Sequence, residues 1–198
     1  MEQLNESLFL LLNAAPGESS AMVGIAHFLA ERLIWIMPAG MILGWLRGSM
    51  AARQILVAAM VSGLTALLIN QVIGLVWYHP RPFEAGIGRT LIPHVRDSSL
   101  PSDHLTLIWA VAFSLLLHEQ SRIIGWALAA SGMTVAWARI YLGVHFPLDI
   151  LGAALVALSS AWLILGQEHR LVTPLMRLLL PLYRTIFAGW IRRGWVRQ

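Results

Sequence analysis

The chain has 198 residues, 58% of them apolar and only 12% charged, with a mean hydropathy of +0.69. Soluble domains run nearer 45–50% apolar and about 25% charged, so disorder and a soluble globular fold are both excluded as readings. Its net charge of +4 comes from 14 basic residues that are all arginine, and the absence of cysteine excludes disulfides, thiolate metal sites and thiol nucleophiles.

Residues 2–14 are too few to span a bilayer and read as an amphipathic helix lying at the interface, ended by Pro16 and Gly17. The beginning carries Glu2 and Glu6 rather than a basic stretch, so a cleaved secretory signal is not expected. Apolar runs at 21–46 and 53–77 read as two spans, the first interrupted by Glu31 and Arg32. A polar loop rich in Pro, Gly, His and Arg covers 78–103, long enough for an active-site loop. Further spans are expected at 104–117, 123–138 and 148–166, and the arginine-studded tail at 167–198 reads as a second interfacial helix. The expected fold is therefore an all-α integral membrane bundle, one domain over 1–198, with about five transmembrane helices and an interfacial helix at each end.

The arginines fall between the apolar runs, which is the positive-inside pattern of a membrane protein rather than a nucleic-acid-binding surface. With five spans, nine arginines share the face that holds the 47–53 loop and the tail, and four share the other. The tail is then cytoplasmic, and the 78–103 and 139–147 loops face outward. Small residues at Ala130, Thr134 and Ala138, and at Ala153, Ala157 and Ala161, are spaced for close helix packing. The tryptophans near span ends, Trp45 and Trp77, read as interfacial belts, and His27, His94, His118 and His169 as solvated or interfacial. Glu31 and Arg32 admit two readings: a role at the site or its lipid entrance, or a mutual pair at the interface.

The outward ends of the spans gather an unusual polar set: Arg81-Pro82, Pro101-Ser102-Asp103-His104, Arg139, and His145 four residues before Asp149. Ser102 or Asp103 can cap one helix, and Pro147 suits the first turn of another. Two helix N-termini and two planar guanidinium forks then converge where a phosphate would sit. If Asp149 takes one ring proton of His145, the other nitrogen is free to attack phosphorus. His104 can protonate the leaving oxygen and later activate water, with no divalent metal or cofactor required.

These residues resemble the type-2 phosphatidic acid phosphatase superfamily, lipid phosphatases related to the vanadium haloperoxidases. Its pattern is Lys, six residues, Arg-Pro; then Pro-Ser-Gly-His; then Ser-Arg, five residues, His, three residues, Asp. The resemblance implies phosphate ligands at Arg81, Ser102, Arg139 and the backbone of Asp103. It implies a general acid at His104, a nucleophile at His145 and its orienter at Asp149. Two positions depart: Gly74 stands where the family has Lys, and Ala138 where it has Ser. The Pro-Ser-Asp-His form, the stretch TLIPHVRDSSLPSDH and the terminal IRRGWVR resemble the bacitracin-resistance type of undecaprenyl-diphosphate phosphatase of bacterial inner membranes. That implies a polyprenyl diphosphate substrate held among membrane lipids, with no nucleic-acid partner. Another lipid phosphate, such as phosphatidylglycerophosphate or lipid A, and a non-enzymatic lipid or anion transporter are the competing readings.

Overall fold

The computed structural model describes residues 2–198. Helix α1 (Glu2–Leu12) precedes α2 (Ser20–Glu31), a 3₁₀ turn (Leu33–Trp35) and α3 (Ile36–Arg47). Then come α4 (Met50–Val76), the long loop, α5 (Asp103–Leu116), α6 (Arg122–Tyr141), α7 (Pro147–Ile186) and the short α8 (Ala188–Arg192). Four helical stretches are long and apolar enough to cross a membrane: Ser20–Arg47, Met50–Val76, Glu119–Tyr141 and Pro147–Ile186. The protein is a multi-pass, all-helical membrane bundle with no strand among the described residues.

The local chemistry explains where the helices start. Ser19 and Ser49 sit in extended conformation and accept the N–H groups of Met22 and Ala52, satisfying donors that a helix start leaves open. Pro147 occupies the first turn of α7, where its missing N–H removes nothing. Ser102 is the N-cap of α5, yet its hydroxyl makes no capping bond.

Helix α5 sets the depth of the site. Its 14 residues span about 21 Å, short of the roughly 30 Å hydrocarbon core. It packs against α4, α6 and α7, and nine of its residues are buried. A helix enclosed on all sides is apolar on all sides, which is why its sequence carries no one-faced pattern. Its few polar groups are matched across helices: Asn70 donates to Thr106 Oγ1 at 3.0 Å. Between α7 and α4, Ser160 donates to the Ser62 carbonyl at 2.7 Å. Such bonds between membrane helices contribute about 0.6–2 kcal/mol each.

Three expectations need correction. The tail does not begin a separate helix at 167, because α7 runs unbroken to Ile186 through Pro174 and Pro181. Gln167, Glu168, His169 and Arg170 bring charge but no helix breaker, and charge alone does not stop a helix. The end of the chain then folds back on the bundle: Arg53 is fully buried and donates to the carbonyls of Trp45 and Arg197, between the Trp45 and Tyr183 rings. The small-residue stripe on α6 is also displaced. Ala130 and Thr134 are exposed, and the close approach is made by Gly125 against Leu116 and Gly132 against Trp109. The alanines of α7 are buried as expected. Finally, the 21–46 run is not one helix, since the chain tightens into a 3₁₀ turn directly after Glu31 and Arg32.

Candidate active site

On one side of the bundle the 77–102 loop, the ends of α5 and α6 and the segment joining α2 to α3 line a cavity of about 630 Å³, with the start of α7 close by. His145 lies in the tight connection between α6 and α7 and is 1% exposed; Asp149, on the first turn of α7, is wholly buried. The His145 Nδ1 is 3.2 Å from Asp149 Oδ2. The same oxygen accepts the Phe146 N–H at 2.7 Å and the Ser99 hydroxyl. One carboxylate therefore caps α7, fixes the loop and orients the imidazole.

Arg81 lies beside that ring. Its Nη1 is 3.2 Å from His145 Nε2 and 3.5 Å from Nδ1, and it donates to the Val144 carbonyl at 2.8 Å. Its Nε pairs with Asp97 at 2.7 Å, and Arg81 itself is buried. Asp97 is half exposed, so water screens the pair, and its value is orientation more than stability. Arg139 is buried and places Nη2 3.0 Å from His94 Nε2 and Nη1 3.4 Å from the Ala30 carbonyl. Its Nε has no partner, and neither has the buried hydroxyl of Ser102. Buried polar groups left unpaired are costly, and both fit an absent oxyanion.

His104 shares the cavity with His94 and Arg139. The His94 ring lies 6.3 Å from the His145 ring and so links the cavity to that buried histidine. The Asp103 side chain takes another course. It is exposed and accepts from Asn70 at 2.8 Å and Gln71 at 3.3 Å, tying α5 to α4. Only its backbone remains at the helix N-terminus.

The Gly74 position is crowded. A Cβ there would lie 3.2 Å from the Ser98 Cβ. Sequence reasoning missed His94 and Ser99, which carry no motif spacing of their own. It also missed α1 as a support. Asn5 accepts the Leu148 N–H at 3.0 Å, and Phe9 packs edge-on against Phe146 at 5.1 Å. Asn13 donates to Arg89 and Tyr141 carbonyls and accepts the Arg89 N–H. Nothing in a single sequence marks a surface asparagine for that duty.

Burial lowers the His145 pKa below the ordinary histidine range; the Asp149 hydrogen bond opposes this and Arg139 adds to it. His94 is lowered too, by burial and then by Arg81. The unfolded chain takes these protons near pH 6.5 while the folded one resists, so stability falls as pH drops through that value. The detergent-solubilised protein should unfold at a lower temperature at about pH 5 than at about pH 7.5. His145→Gln should weaken that dependence, as read by tryptophan fluorescence melts.

The fold and the pocket define a multi-pass membrane protein built around a recessed cluster of arginines and histidines. The PAP2 superfamily matches residues 51–172, a stretch that holds Arg81, His94, His104, Arg139, His145 and Asp149, and the chain belongs to that superfamily. It is 37% identical to the putative undecaprenyl-diphosphatase YbjG of Escherichia coli (strain K12) over 202 residues, covering 100% of both chains. It is 33% identical to the undecaprenyl-diphosphatase BcrC of Bacillus subtilis (strain 168), covering 92% of this chain and 93% of that one. Among solved structures, Aquifex aeolicus LpxE superposes with a TM-score of 0.67 at 20% identity, covering 82% of this chain and 95% of that one, a likeness of fold.

Proposed function

We propose that this protein is an undecaprenyl-diphosphate phosphatase of the bacterial inner membrane, acting at the periplasmic face through a phosphohistidine intermediate. The observation that carries the reading is the buried hold on His145. Asp149 takes Nδ1, which leaves Nε2 as the unheld nitrogen, and Arg81 Nη1 lies beside the ring, 3.2 Å from Nε2 and 3.5 Å from Nδ1, close enough to grip a phosphoryl group transferred there. A pocket built only to bind an anion needs the arginines but not the oriented imidazole.

In the first step the His145 Nε2 lone pair attacks the terminal phosphorus. The bond from that phosphorus to the bridging oxygen breaks, and the departing lipid monophosphate takes a proton from His104. In the second step His104 accepts a proton from water, whose oxygen attacks phosphorus. The P–N bond breaks, inorganic phosphate leaves and His145 is restored. Arg81, Arg139, the Ser102 hydroxyl and the first backbone N–H groups of α5 neutralise the equatorial oxygens. The chain's own groups balance every proton, so the purified protein should release phosphate from undecaprenyl diphosphate in the presence of chelator.

The lipid class has its own support. An apolar cavity of about 460 Å³ runs between α3, α4, α5 and α6 and shares Met37 with the polar pocket. It extends from the pocket side past Gly40 and Val111 toward Ala52 and Ser121 at the opposite helix ends. We assign it to the polyprenyl tail. A Cβ at Gly40 would meet nothing within 4 Å, so a larger side chain there projects into open space. Gly40→Trp should raise KM for undecaprenyl diphosphate about fivefold to a hundredfold, roughly the 1–3 kcal/mol of lost apolar contact, and leave a short-chain diphosphate unaffected. The decisive experiment is a panel of undecaprenyl diphosphate, phosphatidic acid, phosphatidylglycerophosphate and lipid A, each with and without chelator. Preference for any of the last three would overturn the assignment of substrate.

The facing of the site follows from arginine placement. The face opposite the site holds nine arginines, against four in the outward loops and Arg32 in the pocket wall. A cysteine introduced at exposed Val95, in an otherwise cysteine-free chain, should react with an impermeant maleimide in intact spheroplasts.

A further inference from the structure

The pocket has a second wall that the mechanism leaves unused. His94, His104 and Arg139 line one side; Glu31, Arg32 and Trp35, from the first membrane-spanning stretch, line the other. Arg32 stands at the point where α2 ends and the 3₁₀ turn begins. That tightening interrupts a helix that would otherwise carry residues 31–35 past the pocket, and Arg139 bonds the Ala30 carbonyl just before it. The break is thus tied to the phosphate-binding arginine itself.

Glu31 and Arg32 do not neutralise each other. Glu31 turns back one helical turn to His27, with 3.4 Å between Nε2 and Oε2. Arg32 is exposed into the pocket and has no carboxylate within ion-pair distance among the described residues. An arginine within a membrane span is costly unless it faces water, a cavity or an anion. Here it faces a cavity that already holds Arg139 and His104. Meanwhile Gly74 brings no side chain to the pocket, and Ser98 crowds the place where one would start.

We infer that Arg32 binds the phosphate that stays on the lipid, and so sets the preference for a diphosphate over a monophosphate ester. This rests on the phosphatase reading above. Arg81, beside His145, grips the phosphoryl group in transfer; a diphosphate brings one further anionic group, and Arg32 is the cation on the wall facing Arg139 that can meet it. A monophosphate ester has nothing at that position, so Arg32 is idle for it.

The test uses the full chain in nanodiscs, with farnesyl diphosphate and phosphatidic acid as substrates. Arg32→Ala should raise KM for the diphosphate about tenfold to a hundredfold, the usual loss for a charged hydrogen bond, with kcat within about twofold. Phosphatidic acid kinetics should stay within about twofold, and Arg32→Lys should recover part of the loss. Methylenediphosphonate should inhibit the alanine variant less well than the parent, whereas orthophosphate inhibits both alike. Equal loss on both substrates, or no change on the diphosphate, would overturn the inference. Arg32→Gln keeps the length of the side chain and covers the case in which the alanine variant does not fold. A parent protein that turns over phosphatidic acid but no diphosphate would instead sink the proposed function, and the inference with it.

Discussion

Replacing His145 by alanine is expected to lower turnover at least about 10³-fold while leaving the bundle folded. The side chain is buried against Asp149 and Arg81, and the nitrogen that Asp149 does not hold is the proposed nucleophile. With substrate labelled at the terminal phosphate and a quench in base, the parent protein should retain acid-labile label. His145→Ala should retain none. His104→Ala should retain more than the parent: the leaving group is itself a phosphate, so attack continues, while the hydrolytic step loses its base. Turnover in the His145 variant near that of the parent would defeat covalent catalysis and favour direct attack by water.

Asp149→Asn should reduce kcat by about 10²–10⁴-fold with KM nearly constant. The carboxylate accepts three donors at one oxygen, from His145, Phe146 and Ser99. A neutral amide oxygen in that place accepts them more weakly, and a flipped amide opposes N–H to N–H. The imidazole would then lose its orientation and its choice of tautomer. Because the same carboxylate caps α7, a loss of about 1–3 kcal/mol of stability should accompany the kinetic effect. Ser99→Ala removes one donor but neither of those roles, so a tenfold or smaller drop in kcat would separate orientation from capping. A similar collapse in both variants would mean that the loop, not the imidazole, is what Asp149 holds in place.

The bundle was legible because lipid imposes its own pattern. A span must be about 20 residues long and nearly uncharged, and α4 and α6 appear where the apolar runs predict them. The spacing of His145 and Asp149 was equally readable, since four residues make one helical turn. Other features had no such handle. The continuation of α7 to Ile186 depends on the absence of a breaker, and the eye is drawn instead to the arginines. The burial of Arg53 depends on Trp45, Tyr183 and the carbonyl of Arg197, which lie far apart in the chain. His94 looked like a loop histidine and is a partner of Arg139.

What the residues determine unaided is solvent, fold class and chemistry: a lipid-embedded helical bundle, two arginines, two histidines and a carboxylate near helix ends. These follow from composition and from local periodicity, which act over a few residues. What only the folded chain decides is which polar groups face each other. Short α5 recesses the pocket, Ser98 crowds the Gly74 position, α1 braces the catalytic loop through Asn5 and Asn13, and a 3₁₀ turn swings Arg32 toward Arg139. Those outcomes come from packing between segments up to 143 residues apart, and close packing is a property of the whole set of contacts rather than of any one stretch.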